Sequence, residues 1–459
     1  MLLPLLRRLQ GAMDATTSTF AAVFLTALLI PIITATLRLH SRRRQLKHLR
    51  SIGLARSNMA DQFDPSYSSF SASSSNPRIK ALYIHPVKSC APIELPRSLL
   101  TKTGFMYDRC FALAAEMPDP DDGTRMQWRF LSQRTKPCMA LIRTEVWLPD
   151  PDELARSGGC LVLSFADPDR DTTSWIDRLA FKLYTYMRDT ATIPQVTCIV
   201  PLQPPDTNPN QKLTGFAIHG RQAKGIDMST IPSVATALPK LKRFLGIPSH
   251  RGLKLLRCTP DTLVRTDRNL APLEHIGTPA VHGYTDQQPV HINSLSSVQA
   301  VSALLPAENR PLDALRFRAN IWIEGAPAYD EESWKRYRIV PKAGSAARAD
   351  IAPCFSVVCR TSRCTMPNVD THTGTFDTDI PAPGKKKGRP QPSTTLVDHR
   401  TVETGNRAAL GYLGMHCVPE DRSLEEAARR GTGLYLEVGD EIEVLERGEH
   451  LYGSTANNY

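Results

Sequence analysis

A mixed α+β, β-rich fold behind an N-terminal transmembrane helix is what this sequence predicts, on three observations. One uncharged apolar run near the N-terminus is long enough to span a bilayer. The strongest patterns after it alternate with period two and are bounded by Pro, Gly or Asp, and the few helical signals lie between those strand signals.

The N-terminal run is TFAAVFLTALLIPIITATL, from Thr19 to Leu37, in a stretch without charge between Asp14 and Arg38. As a helix rising 1.5 Å per residue it covers about 30 Å, the thickness of a bilayer core. Arg7 and Arg8 precede it, whereas Arg38, Arg42, Arg43, Arg44, Lys47 and Arg50 follow it, and that bias places the C-terminal side in the cytosol. A cleaved secretory signal or a mitochondrial presequence is the alternative, but the heaviest charge follows the apolar run and no clear A-x-A site closes it. Pro31 is tolerable in a membrane helix. Residues 1–50 are therefore expected to be a retained single-pass membrane anchor with a basic flank.

Residues 51–77 are rich in Ser and poor in large aliphatic residues, which predicts a disordered tether. The folded region then starts near Arg78. Its strand signals are IKALYIHPV, FALAAE, ALIRTEVWL, CLVLSF and, near the end, GLYLEVGDEIEVLE. Ser294 is placed to cap the helix SLSSVQAVSALL, and SLEEAARRG offers Ser423 and Glu426 as a capping box with Gly431 as its stop. Turn residues and prolines cluster between Asn269 and Pro289, which divides the body into domains at 78–268 and 269–450. Residues 381–393, PAPGKKKGRPQPS, read as a flexible basic surface insertion.

The composition, 41% hydrophobic and 22% charged over 459 residues, is that of a globular chain of two or three domains. The net charge of +10 invites a nucleic-acid reading, but its location removes the support. Residues 1–50 hold eight Arg and Lys against one acid, and KKKGR adds four more cations, so the folded remainder is near neutral. A nucleic-acid binder needs its basic face on the fold itself. Ten cysteines scattered singly do not form a disulfide framework and suit a reducing compartment.

The segment CRTSRCTMPNVDTHTG carries the chemistry. Cys354, Cys359 and Cys364 recur every five residues, a spacing that converges three sulfurs on one metal neither on a strand nor on a helix, and no C-x-x-C or H-x-x-x-H completes a zinc site. One functional thiol with two packed cysteines is the better reading. Cys364, directly after Arg363 and before a turn, is the candidate, set against the bland alternative of another inert buried cysteine.

Six strings in order, LYIHPVKSC, GFMYDRCFALA, FLSQRTKP, HINSLSSVQAV, RFRANIWIEG and SRCTMPNVDTHTG, make the chain resemble the MOSC-domain molybdenum enzymes. Within that family it is most similar to the amidoxime-reducing components anchored to the mitochondrial outer membrane. The resemblance covers roughly residues 78–450. It implies a MOSC N-terminal β-barrel domain followed by a β-barrel-like MOSC domain with peripheral helices.

It also implies molybdopterin, whose dithiolene holds molybdenum while one protein cysteine supplies a further ligand, and Cys364 falls on that position. Ser362 and Arg363 match family residues that line the cofactor. Lys88 and Ser89 in VKSC, Arg109 in YDRC, and Arg318 with Asn320 in FRAN match its cofactor contacts, and Ser294 and Ser297 align with another cofactor loop. An anionic, donor-rich pterin suits such cations and short polar groups. Taken singly, Arg109 and Arg318 can equally be ion-pair partners and Ser294 only a helix cap.

The chain departs from the family where an aromatic residue usually stands beside the cofactor. Here GMHCVP places His416 there, either as a donor or proton shuttle in catalysis or as a satisfied core histidine. The implied reaction is two-electron reduction of an N-hydroxylated compound such as an amidoxime to the amidine and water. No Rossmann fingerprint, P-loop or C-x-x-C-H occurs, so electrons are expected from a partner. The resemblance implies a b-type cytochrome and its NADH-dependent reductase, with the mitochondrial outer membrane favoured over the endoplasmic reticulum. Two other classes remain: a sulfur carrier like the C-terminal part of molybdenum-cofactor sulfurases, and a cofactor-binding adaptor without turnover.

Overall fold

The period-two segments of the sequence fold into two barrels, the second closed by a strand from the N-terminal half. The computed structural model describes residues 29, 44–68, 76–120, 122–149, 158–169, 194–203, 213–218, 220–266, 270–342, 351–381, 383–403 and 411–450. The N-terminal half supplies β1 (Arg78–Ile84), β2 (Ile93–Leu95), β3 (Phe111–Pro118), β4 (Met126–Phe130), β5 (Arg143–Pro149), β6 (Cys160–Ala166), β7 (Gln195–Pro201), β8 (Thr214–Ile218) and β9 (Arg221–Asp227). Helix α1 (Pro232–Phe244) and β10 (Leu253–Arg257) follow. Strands β8, β9, β10, β3 and β4 form a closed barrel, and β5, β6 and β7 stand in a separate antiparallel sheet. Helix α1 starts on Pro232 and ends with Lys242 and Arg243 in its last turn, as its dipole favours. Its Val234, Ala237 and Leu241 recur on one face and are buried.

The C-terminal half supplies β11 (Val290–Ser294), α2 (Leu295–Leu304), β12 (Ile321–Glu324), β13 (Trp334–Val340), β14 (Cys354–Arg363), α3 (Ser393–Arg400), β15 (Gly411–Pro419), α4 (Asp421–Arg429) and β16 (Glu441–Arg447). These strands lie in the order β12-β11-β15-β14-β13-β16-β1-β2, and β12 also pairs with β1, which closes seven of them into a second barrel. The closing strand, β1, comes from the N-terminal half: Leu82 lies opposite Ile321 and Arg78 opposite Glu441. The domain division at residue 269 thus cuts across a barrel whose closing strand lies some 200 residues upstream. Central β15 is buried along its whole length, and β14 carries register shifts between Val357 and Cys359 and between Arg360 and Ser362. Such bulges bend a strand and re-aim its end.

Three expectations are corrected. The single-pass localisation is overturned: among the described residues no helix is long and apolar enough to cross a membrane. The run Thr19–Leu37 that suggested it lies, but for Leu29, outside the described residues. The tether at 51–77 is ordered from 51 to 68, because Met59 and Tyr67 are buried against Tyr83, Val298 and Trp322. There Ser57 Oγ and the Asn58 N–H both donate to Glu94, at 2.6 and 2.7 Å. Composition undercounted that segment, since two large side chains docked on a preformed core suffice to order a Ser-rich stretch. Residues 69–75 lie outside the described residues.

The capping box is corrected too. Helix α4 starts at Asp421, after Glu420, so Ser423 lies inside it and accepts from the Cys354 N–H at 3.3 Å. Arg336 grips Glu420 through two hydrogen bonds of 2.8 and 2.9 Å and fixes the chain at the helix entrance.

Candidate cofactor cavity

The site is built where the loops leaving β1 and entering β3 meet the ends of β12, β14 and β15. Together they enclose a cavity of about 140 Å³. Among the described residues five non-glycine residues have positive φ, and three of them, Ser89 (φ 67°), Arg109 (φ 46°) and Arg318 (φ 55°), line this cavity. Each such residue costs on the order of 1–3 kcal/mol and persists only where its surroundings hold it. Here the holding is visible: the Arg109 N–H donates to His85 O at 2.9 Å, and Arg318 ends a 3-10 turn over Ala314–Phe317.

Asp108 and Asn320 organise this floor. Asp108 accepts from the His85 N–H at 2.7 Å, from Asn320 Nδ2 at 3.1 Å and from Arg109 Nη1. Burial by itself raises the Asp108 carboxyl, but Arg109 and His85 outweigh it and hold the group down at about 2. The Asn320 amide makes four bonds, donating to Tyr83 O and Asp108 and accepting from Arg109 Nη1 and the His291 N–H. Its hydrogen-bonding capacity is filled by protein, so Asn320 positions Arg109 rather than offering a free amide to a ligand.

Six cations line the cavity, Lys88, Arg109, Arg134, Arg316, Arg318 and Arg363, against one carboxylate, Asp286. Lys88 Nζ donates to Asp286 Oδ1 and to Tyr284 O at 2.9 Å. Burial lowers its ammonium below the usual lysine range while Asp286 works against that shift. Arg318 Nη1 donates to Cys90 O at 2.8 Å; burial and then repulsion from Arg109 lower its guanidinium to about 10. Arg363 lies over the Phe317 ring at 5.1 Å and donates to Leu413 O and Phe317 O, with Nη2 2.7 Å from His291 Nε2.

Cys364 follows the last residue of β14, partly exposed at the cavity wall, where its Sγ accepts from the Met366 N–H at 3.5 Å. Cys359, on the same strand, is fully buried, and burial pushes its thiol far up, while Cys354 is partly buried at the other end. The structure thus places one of the three thiols at the cavity.

His416 lies opposite His291 across β15 and β11, with ring centroids 5.6 Å apart, and lines the cavity. Burial first, and Arg363 second, lower its imidazole to about 3, so the ring is neutral near pH 7. A ring so held acts as a neutral donor or acceptor.

Two expected contacts do not reach the cavity. Ser294 is the residue before α2, yet its Oγ shares a 2.7 Å hydrogen bond with Ser296 and makes no capping bond. Ser297 Oγ donates to Glu331 at 2.7 Å and accepts from the Tyr329 N–H at 2.8 Å. Both hydroxyls are taken up by these protein partners, and neither residue lines the cavity. All the other expected site residues, including Ser362, line the cavity.

Residues that sequence reasoning passed over stand beside them: His291 and Arg316 lie inside strings already singled out, whereas Thr285 and Asp286 sit in a turn-like segment with no motif. Asp377 accepts from Arg316 Nη1 at 2.7 Å, and Asp370 lies 3.6 Å from its Nη2, which gives those two acids a structural task.

The donor set fits an anionic, heteroatom-rich ligand. Ser89 Oγ, Thr285 Oγ1, Arg318 Nη2, Thr361 Oγ1 and His416 Nδ1 are buried at this cavity without a protein partner. Each buried polar atom left unsatisfied costs about 1–3 kcal/mol, which a ligand of matching donors and acceptors recovers. Among the described residues no three His, Cys, Asp or Glu side chains converge as a metal site. A metal held here would take one sulfur from Cys364 and would need its other ligands from the group that carries it.

The MOSC N-terminal beta barrel domain matches residues 76–174 and the MOSC domain matches residues 279–443. The chain is 23% identical over 338 residues to mitochondrial amidoxime-reducing component 1 of Mus musculus, across 73% of this chain and 75% of that protein. With both domains present in this order, the chain belongs to the MOSC-domain family that carries a MOSC N-terminal beta barrel ahead of the MOSC domain.

Proposed function

We propose that the protein is a molybdenum-cofactor oxidoreductase that reduces N-hydroxylated compounds. The observation that carries the reading is the convergence on one cavity of the lone Cys364 thiol, six cations and buried polar atoms without a protein partner, among them Ser89 Oγ, Arg318 Nη2 and His416 Nδ1. Molybdopterin, when bound, supplies a two-electron redox centre and most of its metal's ligands. Cys364 supplies the protein sulfur, and Lys88, Arg109 and Arg318 hold the anionic phosphate and pterin. Ser89 and Thr361 offer hydroxyls to the ring heteroatoms. His416, neutral, donates or accepts one hydrogen bond at the reacting face without adding charge.

In the reaction an amidoxime loses its N–O bond. Two electrons and two protons enter, and an amidine and one water leave. The electrons come singly from a b-type cytochrome served by an NADH-dependent reductase. The similarity to the mouse amidoxime-reducing component supports the substrate class. The test is turnover of an aromatic amidoxime by the full chain purified with its cofactor, using reduced methyl viologen as the electron source. Amidine formation above the cofactor-free background supports the reading, and bound cofactor with no amidine formed overturns it in favour of a binding protein.

A further inference from the structure

The basic insertion is the part of the sequence that the cavity does not absorb, and it is built as a closed hairpin on the cavity wall. Its base is Asp377, whose Oδ2 accepts from cavity-lining Arg316 at 2.7 Å and whose Oδ1 accepts from Asn309 Nδ2 at 2.7 Å. The Asp377 N–H donates to Asn368 O at 2.6 Å, one residue beyond cavity-lining Pro367. The two arms then pair: Thr378 bridges Pro390, and the Asp379 N–H donates to Arg389 O at 3.0 Å.

Gly388 shows how close the arms run, since a Cβ there would sit 1.6 Å from Asp379 O. Arg389 is tied to Asp398 of α3 at 2.6 Å. What remains is the tip, where Lys385, Lys386 and Lys387 are exposed and form no ion pair among the described residues. Lys385 lies eight residues beyond Asp377, so the tip is within about 30 Å of the hairpin base even at full extension.

We infer that this hairpin is the docking surface for the electron donor, and that the donor presents an acidic face. The inference rests on the reductase reading, which requires electrons from outside because the chain has no nicotinamide fingerprint. Electron transfer falls off with distance, so a donor must settle beside the cavity. Three lysines without an ion-pair partner among the described residues, carried on a hairpin whose base is hydrogen-bonded to the cavity wall, attract and orient an acidic protein while leaving that wall undisturbed. The same charge placed on a loose loop would steer but not orient. Nucleic acid is the poorer occupant, because the folded remainder of the chain is near neutral and offers no track for a phosphate backbone.

The experiment compares the full chain with its triple variant Lys385→Glu, Lys386→Glu, Lys387→Glu. The ligand is the soluble haem domain of a b-type cytochrome with an acidic face, and binding is measured at low and high salt. Turnover of the amidoxime by reduced methyl viologen at high salt is the control. The expected result is a dissociation constant raised about tenfold or more in the variant at low salt, a difference that largely vanishes at high salt. Viologen-driven turnover should be the same in both proteins.

Equal cytochrome affinity in the two proteins would overturn the docking surface, as would binding of the parent to a single-stranded DNA oligonucleotide and not to the cytochrome. If neither protein turns over with viologen, the reductase reading fails and the electron-donor assignment fails with it, whereas viologen turnover in both proteins with equal cytochrome affinity fails the docking surface alone.

Discussion

At the scale of single residues, Arg318 and Asp108 separate binding from scaffolding. Arg318 Nη2 is buried and unpartnered, and burial with Arg109 beside it weakens its hold on its proton. A bound anion relieves both conditions. Arg318→Met is therefore expected to loosen the cofactor by roughly 10- to 100-fold, read as cofactor retained after dialysis, with little change in the urea midpoint of the cofactor-free chain.

Asp108 behaves oppositely. Its folded carboxyl lies at about 2 against an ordinary value of 3.8, so its stabilising contribution is complete above pH 4 and is lost as pH falls towards 2. Asp108→Asn should cost about 2–3 kcal/mol at pH 7 by urea denaturation, with the gap to the parent narrowing below pH 4. A gap that does not change with pH would contradict the assignment. Both residues were legible as pieces of short strings, YDRC and FRAN, but Arg109, Arg318 and Asn320 were read there as cofactor contacts and Asp108 was not read at all. That a neighbouring acid and Asn320 do the positioning requires the fold, because each hydrogen bond joins residues some 200 positions apart. Ser294 and Ser297 were misread for the complementary reason: a string fixes a hydroxyl's position along the chain, not the side of the helix to which it turns.

Among the elements, β15 with its neighbours β11 and β14 sets the cavity wall. Gly414 in β15 has φ 77°, and a Cβ there would lie 2.6 Å from His291 Nε2 and 2.8 Å from Ile292 O. Gly414→Ala should therefore displace His291 from Arg363, loosening the wall behind Cys364 and destabilising the chain by about 2–4 kcal/mol. Its denaturant midpoint and cofactor content should fall together, and a fall in neither would show that the wall tolerates the displacement.

The strands themselves were well marked in the sequence, since FALAAE, CLVLSF and GLYLEVGDEIEVLE all lie in or around observed strands. Their partners were not. Period two says that a segment has two faces, yet nothing local states that β1 closes the barrel of β11 to β16. The capping-box error at Ser423 has the same origin, because the helix starts where Arg336 on β13 fixes Glu420.

For the whole molecule, the closing strand β1 makes the two family domains one folding problem. A fragment of residues 279–450 lacks β1, leaving β12 and β16 as open edges, and is expected to be unfolded or aggregated by circular dichroism and gel filtration. Extension back to residue 76 should restore a folded protein. An independently folded short fragment would contradict the closure. The central claim, that Cys364 joins a molybdenum-bearing cofactor held by the cations around it, is tested most directly by elemental analysis for molybdenum together with pterin fluorescence. The samples are the full chain and its Cys364→Ala variant, both expressed in a host that makes the cofactor. The account predicts near-stoichiometric molybdenum in the parent and its loss in the variant, with thermal unfolding of the cofactor-free forms unchanged. Equal molybdenum in both proteins, or a folded parent with neither metal nor pterin, would contradict it.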